Sequence, residues 1–468
     1  MNKVSKQSDN TVSRDSQLTI TIQVINIIYK YKYLENNFTK KMRLSCKEIK
    51  KEMDKICIAI FNTSFQELYN IGKLDENTFN TLSNITQIHF ENTDGDYNYI
   101  DTFDKTNKLA KLIALCPLIN VIHLHDVMGN NNHICKIITN KLSNCINLQM
   151  LTLSSNYISS DGLEELCNNI IECKKIHTLN ISYNDYGSNS SGFVKLANTL
   201  TFLECLSSLD ISMNILGDIG FAAVASVLPN CLKLSSLNLS NIYISKIGLG
   251  ILASVLPMCR ELETLDFSNN ELRLIGITKF TSVLPLCLKL KSLDISDNEL
   301  GEIGINIFTT VLPQCKVLSS IKIGSNGITT NGLNIFAKAI INSNLRLRLS
   351  TLDISRTNIG EAGISILKDL LPKCLVLSNL NLSNTCKDIS FSGLKSLAKT
   401  FILCEQLSCL DITSNNFSDK KLQIIVNVFP YCELLRQVDI TINNDESKQI
   451  IKNILLLCES LKISCQLH

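Results

Sequence analysis

The chain has 468 residues, of which 45% are hydrophobic and 19% charged, with no Trp and a formal net charge of +2. That balance is globular and excludes the strongly basic character of a nucleic-acid or anionic-membrane binder. A single core does not grow to this length, so a repeat array, in which each unit buries surface only against its neighbours, is the first architecture to test.

Residues 1–17 are polar and without period, and they are expected to be disordered. They are not followed by a clean apolar segment with a small-residue cleavage site, so no secretory leader is expected. No apolar run reaches the roughly 18 residues of a membrane-spanning helix. The cysteine count, 19, is odd. In a long chain it reads as buried, reduced thiols of a cytoplasmic protein rather than as a disulfide framework.

Residues 18–80 do not show the repeat found further on. Leu18 to Tyr33 and Met42 to Phe61 are expected to be short helices. Ile49, Met53, Ile56 and Ile60 follow at steps of four, three and four, which suits one helical face. A helical cap over the open end of a repeat array is one reading. The other rests on the stretch INIIYKYKYLENNFTKKMRLSCKEIKKEMDK, which is similar to the later part of an F-box through Arg43, Leu44, Cys46 and Lys47. That resemblance implies docking to a ubiquitin-ligase adaptor, although the usual Leu-Pro entry is missing.

From residue 81 to 468 a period governs the chain. Cys231, Cys259, Cys287 and Cys315 stand 28 residues apart, each closing an LPxC string, and Cys145–Cys173 and Cys404–Cys432 keep the same step. The step from Cys315 to Cys374 is 59, two units with a short insertion between Asn342 and Arg348. After each Cys comes LxxLxLSxNxL, for example LQMLTLSSNYI from Leu148, and then a Gly such as Gly220, Gly248, Gly276 or Gly304. About thirteen such strand motifs run from Ile85, followed by a worn unit from Leu461 to Leu467.

Leu-x-Leu alternation suits a half-buried strand. Leu249, Leu252, Ala253 and Leu256 form one apolar helical stripe. The Gly is expected to permit a tight turn, and the Pro of LPxC to end the helix. Parallel strands pack about 4.8 Å apart and helices about 8–10 Å apart. The expected fold is therefore α/β: a curved right-handed solenoid with a parallel sheet on the concave side and helices on the convex side. The repeat resembles the ribonuclease-inhibitor class of leucine-rich repeats.

Asn156, Asn184, Asn214, Asn270, Asn298, Asn326 and Asn415 are expected to bond backbone groups where each strand ends. An amide-lined binding site is the alternative. Ile242 and Thr357 stand where Asn is expected, and looser loops are expected there. The repeated Cys reads as a small core residue, because no Cys/His cluster has zinc spacing. His123 and His125 could share one face, but further ligands for a metal are not evident. No catalytic motif is found, and no enzyme activity, cofactor or metal is expected.

The residue between the two leucines of each strand points away from the core. Along the array these are His89, His123, Thr152, Asn180, Asp210, Asn238, Asp266, Asp294, Lys322, Asp353, Asn381, Asp411 and Asp439. The expected site is this acidic wall, with a basic protein partner, and Asp266, Asp294 and Asp353 near its centre. A plain consensus effect, screened by water, is the alternative. The leading function is a non-enzymatic interaction scaffold. An F-box substrate adaptor is the second reading. A GTPase-activating solenoid is a third, although the acidic tail of the Ran-directed proteins is missing. No nucleic acid or membrane is expected as a partner. The Asn, Ile and Lys richness hints at an AT-rich genome, and for an intracellular bacterium or a virus the expected location becomes the host cytoplasm.

Overall fold

In a computed structural model of the chain, the described residues are 60–62, 86–91, 109–110, 113–114, 116, 118–126 and 132–467, apart from 185–189, 388 and 442–447. They fall in two compact units, residues 1–184 and 185–468. The F-box-like residues Arg43, Leu44, Cys46 and Lys47, and the expected disordered segment 1–17, lie outside the described residues.

The first unit contains strands β1 (Ile60–Asn62), β2 (Gln87–Glu91), β3 (Val121–His125), β4 (Met150–Thr152) and β5 (Thr178–Asn180), with helices α1 (Asn132–Leu142) and α2 (Ser160–Ile170). All neighbouring strands pair in parallel, and Ile60 lies opposite Gln87. Ile60 and Phe61 therefore belong to a strand, not to the helix expected over Met42 to Phe61. The helical spacing of Ile56 and Ile60 is overridden at this point by pairing with the edge of β2, whose backbone groups need partners.

The second unit alternates helix and strand. Helix α3 (Ser191–Leu200) precedes β6 (Ser208–Asp210), and α4 (Gly217–Val227) precedes β7 (Ser236–Asn238). There follow α5 (Lys246–Val255), β8 (Thr264–Asp266), α6 (Arg273–Val283), β9 (Ser292–Asp294), α7 (Gly301–Val311) and β10 (Ser320–Lys322). The unit continues with α8 (Thr330–Ile341), β11 (Thr351–Asp353), α9 (Gly360–Leu370), β12 (Asn379–Asn381) and α10 (Phe391–Ile402). It ends with β13 (Cys409–Asp411), α11 (Asp419–Val426), β14 (Gln437–Ile440), α12 (Lys448–Leu461) and β15 (Ser464–Leu467). From β6 to β15 each strand is parallel to the next in sequence. This is an α/β solenoid with one strand and one helix per repeat.

Between the layers lies the core. Leu237, Leu265, Leu293, Ile321 and Leu352, each the first leucine position of its strand, are buried beneath the helices. The large rings of Phe193, Phe267, Phe308, Phe336, Phe401 and Phe429 are buried as well. The repeated Cys sits beside the turn that leaves the helix. Sγ of Cys231, Cys259, Cys287 and Cys315 donates to the carbonyl four residues earlier at 3.4–3.7 Å. Burial pushes Cys231 up to about 11 and Cys287 up to about 12, so these thiols stay protonated.

Two local expectations change. The Pro of LPxC does not simply stop the helix. It opens a 3-10 turn, such as Leu228–Asn230 or Leu256–Met258, that turns the chain toward the next strand. The repeated Gly does not sit in the turn; it lies in the first helical turn, facing the previous helix. A Cβ on Gly276 would come within 3.0 Å of Leu249 Cδ1, so the residue is needed for close helix packing.

The insertion between Asn342 and Arg348 replaces LPxC with a 3-10 turn at Asn344–Leu347. Arg348 ties this altered turn to the previous repeat: its guanidinium donates to the carbonyls of Leu318 at 2.9 Å and Cys315 at 2.5 Å.

Candidate functional site

Strand register carries the central residues into rows. Because each repeat follows the same path, the residue between its two leucines lands opposite its counterpart one repeat on. Asp210, Asn238, Asp266, Asp294, Lys322, Asp353, Asn381, Asp411 and Asp439 are successive partners across β6 to β14. In the first unit His89, His123, Thr152 and Asn180 do the same. Alternation puts a second row on this open face, two residues earlier: Ser236, Thr264, Ser292, Ser320 and Thr351 are likewise in register. Sequence reasoning missed that row, although the same period-two rule would have found it.

These carboxylates and amides also hold the strand ends. Oδ1 of Asp266 accepts from the Ser268 N–H at 3.0 Å and from its hydroxyl at 2.7 Å. Asp210 holds Ser212 in the same way, and Asp411 holds Thr413. Asn180, Asn238 and Asn381 make the equivalent backbone bond, so an amide serves the turn as well as a carboxylate. Asp439 differs, since it accepts from Gln437 Nε2 at 3.2–3.3 Å.

Lys322 is the exception within the row. Its Nζ lies 3.2 Å from Asp294 Oδ2, and the Asp294 side chain is only 15% exposed. Next along, Asn381 Nδ2 donates to Asp353 Oδ2 at 2.9 Å. The centre of the expected acidic site is thus partly satisfied from within. Burial lifts the Asp266 carboxyl above its usual range; the Ser268 bonds oppose this, the charge of Asp294 adds to it, and Lys322 draws it back. Asp353 is raised by burial too, against the Ser355 bonds and Lys322. For Lys322 burial works against the ammonium, yet the charges of Asp294, Asp266 and Asp353 carry it above its ordinary value.

The first unit presents a different face. The rings of His89 and His123 stack with centroids 5.6 Å apart, and His125 Nδ1 lies 2.7 Å from Ser154 Oγ. Among the described residues no group of three His, Cys, Asp or Glu side chains is arranged to hold a metal ion. No described helix is long and apolar enough to cross a membrane.

Below the open face runs an asparagine ladder. Asn298 Nδ2 donates to the carbonyls of Phe267, Ile295 and Ser296 at 2.9–3.1 Å. Its Oδ1 accepts from the Asn270 N–H at 3.0 Å and the Leu272 N–H at 3.2 Å. Asn270 and Asn326 repeat the pattern. Each amide is buried and joins two repeats, which makes it structural and not an amide-lined binding surface. A third departure from Asn, absent from the sequence analysis, is Thr385, whose hydroxyl donates to Ile354 and Ser383 at 3.0 Å.

A buried asparagine after most strands, replaced by Ile242, Thr357 and Thr385 in three repeats, joins the stacked strand–helix units. The chain has the fold of a leucine-rich-repeat solenoid. A family model described as Leucine Rich repeat matches residues 286–305, the segment from the Leu286 turn into α7. No curated protein matches. Among solved structures the repeat array resembles one from the yeast Rad7–Elc1 complex, with a TM-score of 0.52 and 18% identity over 92% of this chain and 94% of that one. An internalin of Listeria monocytogenes gives 0.41 and 16%, over 81% of this chain and 95% of that one. LegL7 of Legionella pneumophila gives 0.40 and 18%, over 58% and 86%. At 18% identity the likeness to the chain of the Rad7–Elc1 complex is one of fold.

Proposed function

We propose that this leucine-rich-repeat array is a non-enzymatic scaffold that holds a basic segment of another protein on the open face of its sheet. What supports the reading is the row from Asp210 to Asp439: six carboxylates and one ammonium, on strands about 4.8 Å apart, flanked from Ser208 to Thr351 by small hydroxyl side chains that leave room for an incoming chain. Like charges so spaced attract a cationic partner over a distance and set its orientation. Asp210, Asp266, Asp411 and Asp439 carry most of that attraction, because Asp294 and Asp353 are partly engaged by Lys322 and Asn381.

The test is affinity capture at low and high salt with the wild type and an Asp266→Asn/Asp411→Asn variant. Asparagine keeps the turn and removes only the charge. The expected result is a partner retained at low salt by the wild type and lost from the variant. A partner held equally by both, at either salt, would refute the inner-face reading.

A second reading keeps the scaffold and adds a docking segment at the N-terminus. What favours it is the F-box-like stretch at Arg43, Leu44, Cys46 and Lys47, together with a fold neighbour solved in a two-protein complex. Co-purification of a ubiquitin-ligase adaptor that depends on residues 18–61 would support it; loss of residues 18–61 without effect on that capture would remove it.

A further inference from the structure

A different surface of the second unit carries an unused combination of side chains. Between each 3-10 turn and the strand that follows, the chain crosses the edge of the solenoid where the strands begin. Leu232 and Leu288 are each 77% exposed there and Leu375 is more than half exposed, as are Met258 and Leu286 at the ends of the turns themselves. Single exposed leucines are ordinary, but a row on successive repeats is not. The core does not need them, since the same turns already bury Leu228, Leu256, Leu284 and Leu312.

The row is broken by a cavity of about 280 Å³ between two successive turns, walled by Leu284, Pro285, Leu288, Val317 and Leu318, with Lys316 at its rim. That is room for one large side chain. The uncompensated charges along this edge are of one sign. Arg260, Lys316 and Lys373 are exposed, and among the described residues none of the three has an ion-pair or hydrogen-bond partner. The nearby carboxylates of Glu261 and Glu263 are taken by Lys289 at 2.6 Å and Lys291 at 2.8 Å. This edge is therefore apolar and cationic, while the open sheet face is acidic.

We infer that the edge from Leu232 to Leu375 docks an acidic, apolar-anchored segment of a partner protein, with one large aliphatic or aromatic side chain in the Leu288–Val317 cavity and carboxylates against Arg260, Lys316 and Lys373. Charge complementarity selects an acidic segment, and a side-chain-sized recess between turns suits a protein anchor better than a lipid surface. The inference does not depend on the inner-face reading, because it uses neither the same residues nor the same sign of charge.

The test is selection from a random displayed-peptide library on the full chain, followed by fluorescence-anisotropy titration of the recovered peptides. Expected are peptides with a large apolar residue flanked by Asp or Glu. Their binding should weaken at least tenfold in Leu288→Asp and at least fivefold in Lys316→Glu, with a shallower salt dependence in the latter. Asp266→Asn/Asp411→Asn should bind them unchanged. Both edge positions are exposed, so thermal melts of the edge variants should match the wild type. Failure to enrich such peptides, or equal binding by the edge variants, overturns the inference. So does uptake onto phosphatidylserine vesicles that Leu288→Asp abolishes, which would give the edge to a membrane. A dimer in sedimentation that Leu288→Asp dissociates would give the edge to a second copy, and would overturn the inference equally.

Discussion

Asn298 Oδ1 accepts from the backbone N–H of Asn270 at 3.0 Å, one repeat back along the chain. The same amide supplies the donors for three carbonyls just past the ends of two strands. The ladder therefore couples neighbouring repeats by polar bonds as well as by leucine packing, and each rung depends on its neighbour. Asn298→Ala would leave two buried N–H groups without their acceptor, at a cost of about 3 kcal/mol. Urea unfolding of the full chain measures it; a loss below about 1 kcal/mol would show that the ladder contributes little.

Where the ladder is interrupted, the opposite substitution should help. Thr357 reaches only the Ser355 carbonyl at 3.3 Å and offers no amide oxygen to the Asn326 loop. Thr357→Asn is expected to restore the rung and raise stability by about 1 kcal/mol. A lower unfolding midpoint would mean that the loop has relaxed around threonine and has no room for the amide.

Lys322 sits between acidic partners in register, and its effect on stability should follow pH. Asp266 and Asp353 have raised values in the folded state, so the fold binds their protons more tightly than the unfolded chain does and loses stability as pH rises through that range. The raised value of Lys322 has its effect at the other end of the scale: its contribution is complete below its unfolded value and is lost only as pH rises through the folded one. Lys322→Met should cost about 0.5–1 kcal/mol near neutral pH, a figure kept small by solvent screening of a half-exposed ammonium. The deficit should shrink toward about pH 4, where the carboxyls take up protons. Denaturant melts at both pH values decide it, and a deficit that grows on acidification would contradict the assignment.

At Asp266 charge and structure can be separated. Asp266→Asn keeps an oxygen for Ser268 and should change stability by less than about 0.5 kcal/mol, whereas Asp266→Ala removes the turn and should cost about 1 kcal/mol. Thermal melts of the two variants, side by side, show whether the carboxylate is there for the turn or for its charge. Equal losses in both would mean that the charge itself supports the fold.

Thiol chemistry offers an independent check on the core. Cys231, Cys259 and Cys315 are pushed up to about 11 by burial. Since only the thiolate reacts, iodoacetamide at about pH 8 should label them only after unfolding. Peptide mass spectrometry of native and denatured samples reads the labelled fraction. Rapid native labelling of all three would show that the turns open readily.

Much of this protein was legible in one dimension. A 28-residue step between Cys231, Cys259, Cys287 and Cys315 predicts stacked strand–helix units. With strict alternation in each strand, it also predicts that Asp266, Asp294 and Asp353 share a face, because identical paths turn equal spacing into equal register. What only the tertiary structure decided concerns atoms that meet across repeats. The Lys322 ammonium reaches back to Asp294, and Asn381 reaches back to Asp353, so the centre of the acidic row is its least available part. Gly276 proved to be a contact with Leu249 instead of a turn, and Arg348 ties the altered turn to the previous repeat by bonding carbonyls 30 and 33 residues away. The apolar edge at Leu232 and Leu288 was hidden among the leucines of the consensus, since hydrophobic pattern states a residue's polarity and not whether a neighbour covers it. Period specifies which face a residue occupies; distance between separate turns of the chain specifies what it touches, and a periodic string carries no distances.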